Sequence, residues 1–291
     1  MGDSPMGAFL RPEGYAGPQG LRALSREGSI VTEAARYVVR ARADRRARAA
    51  EPYAGHHRPA STEPVLLVPG FMAGDSTLAP MAKMLRGAGY RTYRSQIHVN
   101  SGCTREAADR LERRIESIAL RRGRKVSIVG HSLGGMLARG LAARRPDLIN
   151  GIVSMGSPIL APAAVHDILA WDAEMLTRLT RAGFGGLMSE DCIAGDCARA
   201  SFDETHAPLD PEVAFTAIYS KRDGIVDWRA CVDPAAIAVE VKASHVGMAI
   251  DPLVFDVVRH ALEGQRIERI NRASRAEGDS GSAHLLPVGS S

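Results

Sequence analysis

Ser132 lies in the stretch KVSIVGHSLGGMLARGL (residues 125–141), where a β-branched run ends and a helical pattern begins. A serine hydroxyl is a poor nucleophile until a base takes its proton and the chain holds its oxygen exposed. Gly130 and Gly134 flank Ser132 as G-x-S-x-G, the spacing of a tight strand-to-helix turn that exposes the hydroxyl. A glycine turn carrying an inert serine is the alternative. The strand before it and the helix after it favour a nucleophile.

Three further motifs lie before and after the Ser132 motif along the chain. In chain order the set is LLVPGFMAG, VGHSLGG, YSKRDGIVDW and ASHVGM. With these motifs the sequence resembles the α/β-hydrolase family, particularly its bacterial lipase and esterase branch, over roughly residues 63–263. The resemblance implies a serine nucleophile, then an acid, then a histidine along the chain. It implies neither a metal nor an organic cofactor.

Asp223 and His245 are the residues on which the resemblance places the acid and the histidine. Asp223 follows the predicted strand VAFTAIYS, and His245 follows the predicted strand IAVEV. An imidazole there can accept the Ser132 proton at one nitrogen and donate from the other to the carboxylate. Asp227 is the alternative acid, although many relatives carry proline at its position and a turn or helix-cap role is more typical of it. A turn aspartate and a surface histidine are the corresponding alternatives for Asp223 and His245.

The resemblance also implies two backbone amides that bind the oxyanion of a tetrahedral intermediate. Leu133, which follows Ser132, supplies one of them. Phe71 supplies the other, with Met72 as the neighbouring possibility. Pro69 stands where relatives have a histidine, and it donates no amide. Since the donor is a later residue, we expect the oxyanion hole to be retained.

Strand and helix signals alternate through the middle of the chain. Short apolar strands separated by helices are typical of a mostly parallel sheet with helices on both faces. The predicted strands are VLLV, YRTYRSQI, KVSIV, GIVSMG, VAFTAIYS and IAVEV, with a long helix over 104–122 and a closing helix over about 251–263. The sequence therefore predicts an α/β fold that presents Ser132 at the carboxyl end of the sheet.

Composition divides the chain into four parts. Residues 63–157 and 210–265 form the predicted hydrolase core. Residues 158–209 separate two core strands and are predicted to form a helical cap or lid. Residues 1–62 are predicted to be a flexible segment with one amphipathic helix, and residues 266–291 a polar, disordered tail.

The predicted cap carries apolar residues at helical spacing, among them Leu169 and Trp171. In the family, insertions here cover the serine, and a methionine-rich amphipathic lid favours acyl chains. Trp171, Met72 and His131 are therefore candidates for contact with a small-molecule or lipid ester. The lid and the N-terminal helix are candidates for peripheral membrane contact. A helix packed permanently on the sheet is the alternative to a lid.

The bulk composition is that of an ordinary globular chain. It has 291 residues, 45% of them hydrophobic, and a net charge of +4. The arginines are concentrated at 36–48 rather than along a basic face, so we expect no nucleic-acid partner. No segment reaches the ~18 apolar residues of a membrane span, and no basic head precedes an apolar core as in a signal peptide. A cytoplasmic location is therefore expected, whereas the oligomeric state has no sequence signal.

The chain has four cysteines, Cys103, Cys192, Cys197 and Cys231. Without an export signal, free thiols are the default. Cys192 and Cys197 are close enough in sequence to form a small-loop disulfide in the presence of an oxidant. A zinc site would require two such pairs or added histidines at ligand spacing, so we expect no metal.

The resulting prediction is hydrolysis of a carboxylic ester through an acyl-enzyme on Ser132. The same residues can pass the acyl group to an alcohol or thiol, so an acyltransferase is the alternative. A non-catalytic binding module is a further alternative, which the complete serine, aspartate and histidine set argues against. Cleavage of halides or epoxides would require an aspartate at position 132.

Overall fold

The computed structural model describes residues 6–50 and 63–282, and within them a single sheet of six strands forms the centre of the molecule. The strands are β1 Pro64–Val68, β2 Arg91–Arg94, β3 Val126–His131, β4 Ile149–Met155, β5 Ala214–Tyr219 and β6 Ile237–Glu240. They lie in the order β2-β1-β3-β4-β5-β6, and each neighbouring pair is parallel. The predicted α/β class with a parallel sheet is confirmed.

Helices cover and connect these strands. They are α1 Gly20–Arg26, α2 Ile30–Ala50, α3 Ala79–Gly87, α4 Thr104–Arg122, α5 Leu133–Arg144, α6 Asp167–Arg181, α7 Asp191–Ala194, α8 Asp196–His206 and α9 Pro252–Ser282. The predicted bounds of α4 are confirmed, and Gly123 ends it in the left-handed conformation. None of the helices over residues 6–50 and 63–282 combines the length and apolar character that a bilayer span requires.

Every residue of β1, β3 and β4 is buried. Side chains alternate between the two faces of the sheet, so Leu66 and Ile128 pack against α4 and α5. Leu67 and Val129 pack against α3 and α9 on the opposite face. The continuous apolar runs in the sequence follow from this two-sided burial.

The strand order reverses between β1 and β3. The chain moves outward from β1 to β2 and then crosses back, so that β3 pairs with the other edge of β1. In open parallel sheets, ligand crevices form at the carboxyl ends of the strands beside such a reversal. The loop after β1 and the turn after β3 meet there, which brings Phe71 and Ser132 to one cavity.

The first described residues pack against the molecule, which corrects the predicted flexible segment for residues 6–20. Leu10 is buried, and its carbonyl accepts the Ala163 amide at 2.8 Å. The Gly7 amide donates to the Ile193 carbonyl at 2.9 Å. The few apolar side chains of this stretch find partners in residues 158–209, which composition cannot reveal. The other residues of the predicted segment, 1–5 and 51–62, lie outside the described residues.

The last helix is longer than predicted. It ends at Ser282 rather than near Glu263, so residues 266–282 are helical where a disordered tail was predicted. Arg269 pairs with Glu63 at 2.7 Å, and Arg272 donates to the Pro211 carbonyl at 2.8 Å. These contacts attach a polar stretch to the core. Residues 283–291 of the predicted tail lie outside the described residues.

Candidate active site

Ser132 sits in a strained turn between β3 and α5. Its φ is +52° and its ψ is −123°, a region that non-glycine residues rarely occupy. Its amide donates to the Met155 carbonyl at 2.9 Å, which fixes the turn against β4. The hydroxyl lines a cavity and makes no hydrogen bond within the described part of the chain. The Ser132 hydroxyl is therefore available to bind a ligand.

Glycine is required on both sides of Ser132. A Cβ atom on Gly134 would lie 2.2 Å from the Val68 carbonyl oxygen, and one on Gly130 would lie 2.4 Å from the Gly134 carbonyl oxygen. Both distances are far below van der Waals contact with backbone that cannot move aside. The G-x-S-x-G spacing is thus explained by the close approach of Gly134 to β1 and of Gly130 to the first turn of α5.

His245 and Asp223 form a buried hydrogen-bonded pair. The distance from His245 Nδ1 to Asp223 Oδ2 is 2.7 Å. Asp223 Oδ1 accepts the amides of Ile225 at 2.8 Å and Val226 at 2.7 Å, which orients the carboxylate. Burial alone lowers the pKa of His245, but the charge and hydrogen bond of Asp223, together with Glu27, outweigh it and leave that pKa raised.

Asp227 is engaged elsewhere. Its Oδ2 lies 2.7 Å from Arg229 Nη2 and accepts the Ala16 amide at 3.2 Å. Its Oδ1 accepts the Arg229 amide at 3.1 Å, so it caps the short 3-10 turn that follows. Burial raises the pKa of Asp227, but the Arg229 bonds outweigh this and keep it low. The structure therefore pairs His245 with Asp223 and gives Asp227 the cap role.

Ser132 and His245 both lie near the end of β4. Ser132 is bonded to Met155, and the next residue, Gly156, is so close to His245 that a Cβ there would lie 3.0 Å from Nδ1. His131 Nε2 donates to the His245 carbonyl at 2.9 Å, and the two imidazole centroids are 4.9 Å apart. The loop carrying His245 is thus held beside the turn that carries Ser132.

His131 is buried and braces this loop, whereas the sequence suggested a substrate contact. Burial first, and then the neighbouring His245, lower the pKa of His131 to about 4. The imidazole is therefore neutral near pH 7, and its Nε2–H is the donor to the His245 carbonyl. It is not among the residues that line the cavity. The side chain of His131, at the end of β3, is buried inward, which explains why it does not reach the cavity.

The two predicted oxyanion amides are both free to bind a ligand. Leu133 is the first residue of α5, so its amide has no partner within the helix. The Phe71 amide has no partner among the described residues either, whereas the Met72 amide donates to the Asn100 carbonyl at 3.0 Å. Asn100 Nδ2 also donates to the Pro69 carbonyl at 3.1 Å. This buried asparagine selects Phe71 over Met72 as the available donor.

An apolar cavity of about 150 Å³ opens beside the Ser132 hydroxyl. Residues of the core, of the 158–209 insertion and of the N-terminal segment line it. They include Phe71, Leu133, Met136, Leu169, Ala173, Met188, Phe202, Met6 and Leu10. The cavity is suited to an apolar group attached to a carbonyl at Ser132.

Trp171 lies outside this cavity, with 56% of its surface exposed. Leu169 and Ala173 occupy the inner face of α6, and helical periodicity turns Trp171 toward solvent. Met72 is also half exposed, at 48%. These placements differ from the substrate contacts that the sequence suggested for both side chains.

Residues 158–209 contain α6, α7 and α8, and α8 is fastened to the core. Arg144 Nη2 donates to Glu204 Oε2 at 2.8 Å, and Arg139 donates to the Ala207 carbonyl at 2.9 Å. These contacts suit a helix packed permanently on α5. Movement of α6 as a lid stays a prediction.

Glu27 and Glu33 hold the loops that carry Asp223 and His245, and neither glutamate was predicted from the sequence. Glu27 Oε1 accepts the amides of Gly224 at 2.9 Å and His245 at 3.0 Å. Glu33 is fully buried and accepts the Ser244 amide at 2.8 Å and the Ser244 hydroxyl at 2.7 Å. The one signal in the sequence for such a role was Glu33, a charged residue inside a predicted amphipathic helix.

The buried face of α2 is not its most apolar face. The apolar stripe in the sequence includes Val31 and Val39, but these side chains are 71% and 66% exposed. Glu33 and Arg36 face the body instead, and Arg36 pairs with the buried Asp251. Hydrogen bonds to the His245 loop thus orient this helix, rather than burial of its valines.

Comparison with known proteins supports the fold. Residues 63–185 match the family model for the alpha/beta hydrolase fold. Over 112 residues, 36% of this chain, the sequence is 30% identical to a triacylglycerol lipase of Vibrio cholerae, of which it covers 35%. The chain thus spans about a third of that relative.

Solved structures give the same result. A Bacillus licheniformis lipase in its mature form is similar with a TM-score of 0.54 and 16% identity, covering 71% of this chain and 94% of that one. Its propeptide form gives a TM-score of 0.53 and 17% identity, with coverage of 69% and 50%. At these identities the likeness concerns the fold. This chain therefore has the α/β-hydrolase fold, and its residues 63–185 match the family model for that fold.

Proposed function

We propose that this protein hydrolyses carboxylic esters that carry an apolar acyl group, through an acyl-enzyme on Ser132. One observation carries the proposal. The Asp223–His245 pair, bonded at 2.7 Å, stands beside a strained serine whose hydroxyl lines an apolar cavity. The names of the similar proteins, lipase and triacylglycerol lipase, support the same reaction class.

In the proposed mechanism, Ser132 Oγ attacks the ester carbonyl while His245 Nε2 takes the hydroxyl proton. Asp223 holds the Nδ1–H tautomer and stabilises the imidazolium that forms. The amides of Leu133 and Phe71 bind the oxyanion of the tetrahedral intermediate, with the N-terminus of α5 adding its dipole. His245 then protonates the departing alcohol. Water, activated by His245, cleaves the acyl-enzyme by the same route.

The cavity supports a short or medium acyl chain. Its volume of about 150 Å³ is comparable to that of protein cavities that hold a benzene-sized guest. Its lining is apolar, so it favours a hydrocarbon group over a charged one. We therefore expect p-nitrophenyl butyrate to be cleaved with a higher kcat/KM than p-nitrophenyl palmitate.

The direct test compares Ser132→Ala with the wild type on p-nitrophenyl esters. Loss of a triad nucleophile leaves only the contribution of binding and of the oxyanion hole, so we expect kcat to fall at least about 10³-fold. A fluorophosphonate probe should label the wild type and not this variant. Ser201→Ala is the matched control, because Ser201 lines the same cavity and hydrogen-bonds to Thr104 rather than to a histidine. Wild-type hydrolysis by Ser132→Ala would refute the proposal.

A further inference from the structure

Three cysteines meet at the edge of the cavity, although Cys103 lies 94 positions from Cys197 in the sequence. Cys103 immediately precedes α4, Cys192 lies in α7, and Cys197 lies in the first turn of α8. Their sulfur atoms all lie within 4.8 Å of one another, and the distance from Cys103 Sγ to Cys197 Sγ is 3.4 Å. Cys192 also lines the cavity beside Ser132. We call these three residues the thiol cluster.

The dimensions of the thiol cluster match those of a metal ligand set. With a metal–sulfur distance of about 2.3 Å, a tetrahedral zinc ion places two of its sulfur ligands roughly 3.8 Å apart. The observed separations, from 3.4 Å to less than 4.8 Å, bracket that value. A disulfide would use two of the sulfur atoms and leave the third without a role. Three converging thiols are what a tris-thiolate site requires.

Two helix N-termini and one hydroxyl group favour thiolates at this place, against the effect of burial. Cys103 is the N-cap of α4, a helix of 19 residues, and Cys197 is the second residue of α8. The positive ends of both helix dipoles therefore lie at the sulfur atoms and stabilise negative charge there. Ser189 Oγ lies 3.5 Å from Cys192 Sγ and can donate to it. The Cys197 amide donates to Asp191 Oδ1 at 3.3 Å, which fixes α8 against α7.

Burial acts against negative charge in the thiol cluster. It raises the pKa of Cys197 to about 12, and the hydrogen bond with Cys103 adds to the effect. A cation that binds here must displace thiol protons, so its apparent affinity rises with pH.

We propose that Cys103, Cys192 and Cys197 bind one zinc ion through three thiolates, with water in the fourth position. Binding releases three protons from three thiols and requires no oxidant. The ion joins α7 and α8 to the start of α4 and so fixes one wall of the cavity. This site is independent of the proposed ester hydrolysis, because none of the three sulfur atoms takes part in that reaction.

The test uses the full chain, reduced with a phosphine under nitrogen and then incubated with Zn²⁺ and desalted. We expect elemental analysis to find one zinc per chain and Tm to rise with zinc. Co²⁺ in place of Zn²⁺ should give an intense thiolate-to-cobalt absorption band in the near ultraviolet. Cys103→Ser, Cys192→Ser and Cys197→Ser should each lose most of the zinc. Cys231→Ser is the matched control, since Cys231 is buried outside the thiol cluster, and it should retain zinc.

A second measurement applies to the wild type alone, in case a variant fails to fold. Zinc should protect residues 103, 192 and 197 from iodoacetamide, and peptide mass spectrometry measures this protection. Labelling of an added thiol peptide, which serves as the control, should stay unchanged. The proposal is overturned if the reduced protein retains no zinc after desalting. It is also overturned if the cluster variants retain as much zinc as Cys231→Ser. If the thiol cluster is oxidised on purification and the reduced protein still binds no zinc, two of its cysteines form a redox pair instead of a metal site.

Discussion

Glu27 Oε1 accepts the backbone amide of His245, with 3.0 Å between the two atoms. The same oxygen accepts the Gly224 amide at 2.9 Å, and Oε2 accepts the Val246 amide at 3.0 Å. One carboxylate of the N-terminal segment thus joins the loop of the proposed acid to the loop of the proposed base. The position of the base therefore depends on a residue 218 positions earlier in the chain.

Glu27→Gln should move the pH profile of esterase activity. The charge of Glu27 contributes to the raised pKa of His245, after burial and Asp223. A general base works only when it is unprotonated, so kcat/KM falls as the pH drops through that pKa. Removing the charge lowers the pKa of His245, and the acid limb should move to lower pH, with kcat reduced about 10-fold by the lost amide contact. Glu13→Gln, at an exposed glutamate of the same segment, should leave the profile in place. An acid limb unmoved in Glu27→Gln would contradict this role.

Asp223→Asn and Asp227→Asn should differ sharply in their effect on kcat. Asparagine at 223 keeps the shape of the side chain but favours the wrong tautomer of His245, and the equivalent change in a serine protease lowers kcat about 10⁴-fold. Asp227 binds Arg229 and caps a turn, so its substitution should change kcat less than about 10-fold. Initial rates on p-nitrophenyl butyrate distinguish the two. The reverse order of effects would make Asp227 the acid.

Asn100→Ala should impair the oxyanion hole. The Asn100 side chain donates to the Pro69 carbonyl, and the Asn100 backbone carbonyl accepts the Met72 amide. The Phe71 amide is thereby left free. Loss of one oxyanion donor typically costs about 10²–10³ in kcat, and we expect a displaced donor to cost about 10-fold or more with little change in KM.

Asn150→Ala is the control for that substitution. Asn150 is equally buried, and it bonds Ser127 and the Lys125 carbonyl at the opposite end of the strands. It should alter stability and leave kcat near the wild-type value. Equal loss of kcat in both variants would show that the Asn100 effect is a general consequence of disturbing the fold.

His131→Gln should change how stability depends on pH. The pKa of His131 is about 4 in the folded chain and 6.5 in its ordinary state. Between these values the unfolded chain binds the extra proton, so the free energy of unfolding falls as the pH drops from about 6.5 to about 4. This histidine contributes a slope of up to about 1.4 kcal/mol per pH unit, which the variant lacks.

Urea unfolding at pH 7 and pH 5 measures that difference. The wild type should lose more stability than His131→Gln on acidification, whereas His98→Gln, at an exposed histidine, should follow the wild type. Parallel losses in the wild type and in His131→Gln would mean that His131 is not held neutral by burial.

The amino-acid sequence by itself determined the sheet, the turn at Ser132 and the candidate partners Asp223 and His245. These features depend on short-range rules, namely apolar runs, glycine spacing and the order of motifs after strands. α4 is an example, because its apolar spacing and the glycine after it mark both helix ends. The turn at Ser132 is another, since the contact that requires Gly130, with the backbone of Gly134, is local.

Only the tertiary structure decided the roles of Glu27 and Asn100, the polar inner face of α2 and the meeting of Cys103 with Cys197. Glu27 and Asn100 bind backbone amides and carbonyls, which every residue carries and which leave no mark in the sequence. The sulfur atoms meet because α4 and α8 pack side by side, although 94 positions separate the two cysteines. Contacts of this kind are set by how whole elements pack, which local patterns do not encode.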